Sequence, residues 1–250
     1  MAIAFGLRLC VALGVVFATA GFADANSRKI AFVGDSMADG IWGAFFRLTG
    51  SVKCNNLVGL IRDARNGSGL ARPYSYDWET DIDKLVSKEQ PDVIVASIGL
   101  NDRQALVTRD RHQIRLGTAE WLDAYRQNVA SFYKHATAGG ARVLIVGLPT
   151  LRDGKADAHA KSVNQIFASE AKSQLALKVT YVQPWQPDGG DGSFASFGPD
   201  LGGATVAIRA PDGIHFTQAG YDVLAQYLRP LVAESLADQG DTVGDSCFGP

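Results

Sequence analysis

Short apolar runs separated by amphipathic stretches set the pattern of this chain. Ile30–Val33, Val93–Ile98, Val143–Val146 and Val179–Val182 are each too short for a helix and rich in Val and Ile. They read as buried strands, with a weaker one at Leu57–Ile61. Between them, apolar residues recur at helical spacing. Ile41–Leu48 carries Ile41, Trp42, Phe45 and Phe46, and Asp77–Ser87 carries Trp78, Ile82 and Leu85 on one face, with Asp77 as its cap. Thr118–Ala138 sets Trp121, Leu122, Tyr125, Val129, Phe132 and Tyr133 on its apolar side and ends at Gly139-Gly140. Asp157–Gln174 is a further helix. Thr217–Ala237 is the last, burying Leu224, Tyr227, Leu228 and Leu231, with Pro230 expected to kink or interrupt it.

Strands alternating with helices predict an α/β fold: a three-layer α/β/α sandwich around a mainly parallel five-stranded sheet. Glycine turns follow the buried strands, at Gly34, Gly99 and Gly147, so they gather at one sheet edge. Ligands of open α/β sheets bind at that edge. Three loops border it: the polar, glycine-rich Arg65–Leu70, the charged and aperiodic Arg103–Leu116, and the long Gln183–Pro211 with a short strand at Ala204–Arg209. Long loops of this kind are often functional.

Length and charge narrow the classes. A chain of 250 residues with a formal charge of −2 suits one domain and argues against nucleic acid or an anionic membrane surface as partner. The N-terminus changes the address. Arg8, the uncharged run Leu9–Ala23 and the small-x-small site Ala23-Asp24-Ala25 read as a cleaved signal peptide over residues 1–25, with an earlier cut after Ala18-Thr19-Ala20 as the alternative. The run is short for a membrane span, so the expectation is export to the periplasm or outside the cell, with no span after cleavage. Residues 26–237 form the domain and 238–250 a polar tail. Cleavage removes Cys10 and leaves Cys54 and Cys247 in an oxidising compartment, either as one disulfide or as two free thiols, with the bridge preferred.

Two short constellations carry candidate chemistry. Lys29–Val33 leads into Gly34-Asp35-Ser36 and then a helix, which puts Ser36 at a strand's carboxyl end and near helix N–H groups. Gly-Asp-Ser is also a common turn in which serine caps the helix. Of the four histidines, His135 and His159 fall in predicted helices as surface residues, and His112 lies in the charged loop. His215 follows Asp212-Gly213-Ile214. That spacing can lay the Asp212 carboxylate on one imidazole nitrogen and leave the other for a serine proton, or it can be a turn that starts a helix.

Together these stretches resemble the SGNH, or GDSL, hydrolase family, most nearly its members from the bacterial cell envelope. Gly34-Asp35-Ser36, Gly69 in Asn66-Gly67-Ser68-Gly69, Gly99-Leu100-Asn101-Asp102 and Asp212-Gly213-Ile214-His215 match its four blocks in order. The resemblance implies Ser36 as nucleophile, His215 as general base and acid, and Asp212 orienting it. It implies an oxyanion hole from the Ser36 and Gly69 N–H groups and the Asn101 amide, with Gly67 as the alternative to Gly69. Met37 stands where the family name has leucine, a swap that conserves volume. Gly244-Asp245-Ser246 has no strand before it and reads as tail. Arg103 and Trp78 are candidate substrate contacts, against the simpler readings of a solvated arginine and a core tryptophan; Trp42, Tyr74 and Tyr76 are further candidates for stacking on a sugar.

No metal-ligand spacing, dinucleotide fingerprint or P-loop lysine is present, so no cofactor is expected. The expectation is an exported serine esterase removing O-acetyl groups from envelope or extracellular carbohydrate through an acyl-enzyme. The alternatives are an O-acetyltransferase using the same residues and a non-catalytic carbohydrate-binding envelope domain.

Overall fold

The computed structural model describes residues 27–49, 54, 57–174, 177–185, 192–237 and 247–248. The stretch 1–25, read above as a signal peptide, the second Gly-Asp-Ser at Gly244-Asp245-Ser246 and most of the stretch read as a tail lie outside them. The apolar runs become strands: β1 (Arg28–Gly34), β2 (Val58–Ala64), β3 (Val93–Ser97), β6 (Arg142–Val146) and β7 (Val179–Val182). All pair in parallel in the order β2-β1-β3-β6-β7, the five-stranded sheet that the sequence predicts. Five helices connect and cover them: α1 (Ser36–Thr49), α2 (Trp78–Glu89), α3 (Ala119–Thr137), α4 (Gly154–Ser173) and α5 (Gln218–Ala237). Two small antiparallel ribbons rise from the loops, β4 (Leu106–Val107) with β5 (Gln113–Ile114), and β8 (Phe197–Pro199) with β9 (Thr205–Ala207).

Period-two alternation divides each central strand between two cores. Ile30 and Phe32 of β1, with Val93 and Val95 of β3, face α1 and α5. Ala31, Val33, Ile94 and Ala96 face α2, α3 and α4. Both faces are covered, which is why Ile30–Val33 and Val93–Ala96 are apolar without a break. Capping fixes three helix starts: Asp77, Thr118 and Asp153 accept from the N–H groups of Thr80, Trp121 and Ala156.

Three expectations are corrected. α1 begins at Ser36, not Ile41, because Asp35 caps it through the Met37 N–H at 2.9 Å. α5 runs through Pro230 without a break, since Leu228, Val232, Ala233 and Leu236 are buried on either side of it. Tertiary burial outweighs the lost hydrogen bond. Leu122 and Tyr227, expected in the core, lie at the exposed margins of their helices.

Among the described residues no helix is long and apolar enough to cross a membrane. Cys54 and Cys247 are bonded, with Cα atoms 5.7 Å apart and a sequence separation of 193. Both are buried, and Phe248 packs on Phe45 beside them. The bond closes nearly the whole domain into one loop. Replacing both cysteines with serine is expected to cost about 2–5 kcal/mol and lower Tm by roughly 5–15 °C. Calorimetry of the two proteins checks this; equal melting temperatures would show that the bond constrains little.

Candidate active site

The sheet's strand order reverses at β1. Its chain goes on to β2 on one side, while β3 pairs with β1 on the other. Such a switch point opens a crevice at the strands' carboxyl ends. The turns after β1 and β3 meet there. Gly34 has φ +138°, and a Cβ on it would stand 1.9 Å from the Ser97 carbonyl oxygen, so only glycine lets β1 run this close to β3. The next residues turn sharply into α1 and leave Ser36 at its first position.

The Ser36 hydroxyl lies 2.7 Å from His215 Nε2, across 179 residues of sequence. The other ring nitrogen, Nδ1, lies 2.7 Å from Asp212 Oδ2. The second Asp212 oxygen accepts from the backbone N–H groups of Ile214 (2.8 Å) and His215 (3.0 Å). Burial pushes the Asp212 carboxyl up, but the His215 ring and these N–H groups outweigh it and hold it down to about 2. An ionised Asp212 keeps the imidazole proton on Nδ1. Nε2 is then left as an acceptor for the serine O–H.

Arg209 backs this loop from inside. Its guanidinium donates to the carbonyls of Thr150 (2.8 Å), Ile214 (2.6 Å) and His215 (3.3 Å) and stacks on Phe216. Burial pulls it down to about 10. No sequence pattern signals this role, because all three acceptors are main-chain groups.

The opposite side of the crevice holds the oxyanion candidates. Among the described residues the Ser36 and Gly69 N–H groups have no hydrogen-bond partner. Asn101 Nδ2 donates one N–H to the Ser68 carbonyl at 2.8 Å, which fixes the amide and leaves its second N–H. The two glycines of the second block differ in surroundings. Gly67 has φ +79° with open space around it, so it makes the turn. Gly69 packs on Asp102, where a Cβ would come within 2.1 Å of a carboxylate oxygen. This close packing favours Gly69 as the fixed donor.

Two carboxylates buried to 0% exposure hold these turns together. Asp35 accepts from Met37 N–H (2.9 Å) and Leu100 N–H (3.1 Å), joining the serine turn to the Asn101 turn. Asp102 accepts from Leu70 N–H (2.8 Å), Ala71 N–H (2.9 Å) and the Tyr125 hydroxyl (2.8 Å), joining the Asn101 turn to the Gly69 loop. Burial pushes Asp102 up as well. In the sequence Asp102 and Asp35 stand out only as members of their motif blocks, with no sign of these long-range bonds.

Trp78 does not offer a face to solvent. It is 3% exposed, and its indole N–H donates to Ser68 Oγ at 3.1 Å, propping the Gly69 loop from behind. Arg103 is exposed beside Asn101 and has no partner among the described residues. Tyr74 is exposed, while Tyr76 packs on the edge of Trp78 and donates to Asp81. His159, expected at the surface, is half-buried against Trp121. His112 and His135 face Glu120 and Asp83. Among the described residues no three His, Cys, Asp or Glu side chains form a group that could hold a metal.

The family model described as Protein of unknown function (DUF459) matches residues 29–230. Among curated proteins none matches. Solved structures share the fold. A carbohydrate esterase family 3 protein from Talaromyces cellulolyticus matches 84% of this chain and 99% of its own, with TM-score 0.58 and 13% identity. A GDSL-like lipase from Bacteroides thetaiotaomicron matches 84% and 89%, with TM-score 0.55 and 18% identity. A catalytic mutant of an acetylxylan esterase from Geobacillus stearothermophilus matches 81% and 93%, with TM-score 0.55 and 16% identity. The fold is that of the GDSL, or SGNH, hydrolases.

Burial lifts Asp35 from 3.8 to about 7, against the N–H groups that favour its charge. A carboxyl raised on folding stabilises the native state fully below its unfolded pKa, here near 3.8, and loses that contribution as pH rises through about 7. The unfolding free energy of the wild type, relative to that of Asp35→Asn, is therefore expected to fall by roughly 3 kcal/mol between pH 5 and pH 8. Urea unfolding at the two pH values measures it. Parallel curves would mean that Asp35 does not change its charge on folding in this range.

Proposed function

We propose that this chain, which belongs to the DUF459 family, is an exported serine esterase that removes O-acetyl groups from envelope or extracellular carbohydrate. The observation that carries the reading is the relay from the Ser36 hydroxyl through His215 to Asp212, with 2.7 Å at each step. A serine hydroxyl is a weak nucleophile until a neighbouring base takes its proton, and His215 is positioned as that base.

In the first half-reaction Ser36 Oγ bonds to the ester carbonyl carbon while its proton passes to His215 Nε2. The carbonyl oxygen gains the negative charge and faces the N–H groups of Ser36 and Gly69 and the Asn101 amide, each worth about 3 kcal/mol in comparable sites. The carbon–oxygen bond to the alcohol then breaks. His215 gives its proton to the departing oxygen, leaving acyl-Ser36. In the second half a water loses a proton to His215 and attacks the acyl carbon, and the acid leaves as Ser36 recovers its hydrogen. Asp212 stays ionised throughout and stabilises the imidazolium.

Three observations refine the reading. The His215 and Asp212 side chains are 34% and 45% exposed, which gives water access to the acyl-enzyme and favours hydrolysis over acetyl transfer. The buried Cys54–Cys247 bond fits an oxidising compartment and so supports export. The names of two fold neighbours, a carbohydrate esterase and an acetylxylan esterase, support the substrate class.

A fluorophosphonate probe is expected to add once to the wild type, read by intact mass, and not to Ser36→Ala. Asp212→Asn is expected to fold normally and lose about 10⁴-fold in kcat on p-nitrophenyl acetate. A folded wild type that neither takes the probe nor releases acetate would overturn the esterase reading.

A further inference from the structure

A second concavity lies beside the crevice and contains neither Ser36 nor His215. It measures about 240 Å³ and is formed by the Gly69–Glu79 segment, α3 and the turn between β4 and β5. That volume is just below the range of about 300–1,000 Å³ that holds drug-sized ligands, and it suits one ring. Pro73 and Tyr76 give it accessible apolar and aromatic sides, and Leu70, Trp78 and Phe132 back them from the core. Asn128 reaches in from α3. Its Nδ2 donates to the Leu70 carbonyl at 2.8 Å, and its side-chain oxygen has no partner among the described residues.

The rim is charged but internally paired. Arg109 donates to both oxygens of Asp77 (2.7 and 2.8 Å) and to Glu79 Oε2 (2.7 Å). The other Glu79 oxygen accepts from Ser131 at 2.6 Å. Arg109 holds Asp77 well below the usual carboxylate range. Two carboxylates against one guanidinium leave a single excess negative charge. Phosphates and acidic sugars are repelled there, and a purely apolar chain would strip water from the rim without replacing its hydrogen bonds.

We infer that this cavity is a subsite for one neutral sugar ring of the glycan that carries the ester, an inference that rests on the esterase reading for its link to catalysis. A pyranose sets C–H faces against the apolar walls while its hydroxyls reach Asn128 Oδ1, Thr108 and the paired rim. The cavity also shares Gly69 and Leu70 with the loop that Asp102 clamps. A ring seated here touches the same loop that carries the candidate oxyanion donor, so it positions the scissile ester rather than reacting with it.

The test uses the mature chain with Ser36→Ala and three neutral probes, xylohexaose, cellohexaose and chitohexaose, with hexagalacturonate as the acidic counterpart. Calorimetric titration is expected to detect at least one neutral probe and not the acidic one. Pro73→Trp, which fills the cavity from a half-exposed wall, and Asn128→Ala, which removes the free acceptor, are each expected to weaken that binding at least tenfold. With Ser36 intact, both variants are expected to lower the ratio of kcat/KM on acetylated oligosaccharide to that on p-nitrophenyl acetate at least tenfold, mainly through KM. No binding of any neutral probe, or binding unchanged in both variants with unaltered melting, would overturn the subsite. Binding that responds to the variants in a protein that hydrolyses neither ester would uphold the subsite and overturn the esterase reading instead.

Discussion

Asp35 and Asp102 have no solvent contact, and among the described residues neither is paired with a cation. Their oxygens accept from N–H groups and one phenol: Met37 and Leu100 for Asp35, and Leu70, Ala71 and Tyr125 for Asp102. A buried carboxylate left without such donors would cost several kcal/mol, so each carboxylate and its donors fix one another in position. Three turns that are far apart in sequence are locked at the head of the sheet by these two side chains. The serine turn, the Asn101 turn and the Gly69 loop cannot drift separately. Catalysis by preorganised donors requires this rigidity, because a donor that must move into place loses most of its advantage.

The fourth piece, the Asp212–His215 loop, is fixed by a different device. Its carbonyls are gathered by the Arg209 guanidinium, and its N–H groups by Asp212 itself. The short contact from Ser36 to His215 joins it to the carboxylate-clamped half, beside the packing of Phe216 and Tyr221 with Met37. The site is thus assembled from two halves that meet at the Ser36–His215 contact. The half that carries His215 is the more exposed, which suits the proton exchange with alcohol and water that the proposed esterase reading asks of it.

Much of the architecture was legible in the chain. Strand cores such as Val93–Ala96 and Val143–Val146 stood out because burial on both faces demands unbroken apolar sequence. Helix starts at Asp77 and Thr118 were marked by their capping side chains. Boundaries failed where a tertiary contact overrode local pattern. α1 starts early because Asp35 caps it, and α5 passes Pro230 because its neighbours are buried. The histidine outside the site was misplaced for the same reason: His159 is drawn inward by Trp121, a contact between helices that periodicity does not encode.

The sequence by itself determined the residue types and their order: a serine after the first strand, an asparagine after the third, and an aspartate three residues before a histidine ahead of the last helix. Those are local facts, written in spacing and turn chemistry. Only the tertiary structure decided that Ser36 and His215 meet across 179 residues, that Gly69 rather than Gly67 packs on Asp102, and that Trp78 supports a loop from behind. It alone formed the cavity under Arg109, whose walls come from a loop, a helix and a ribbon. Such features depend on burial and on which main-chain groups find partners, and these are properties of the packed chain that no short stretch of sequence carries.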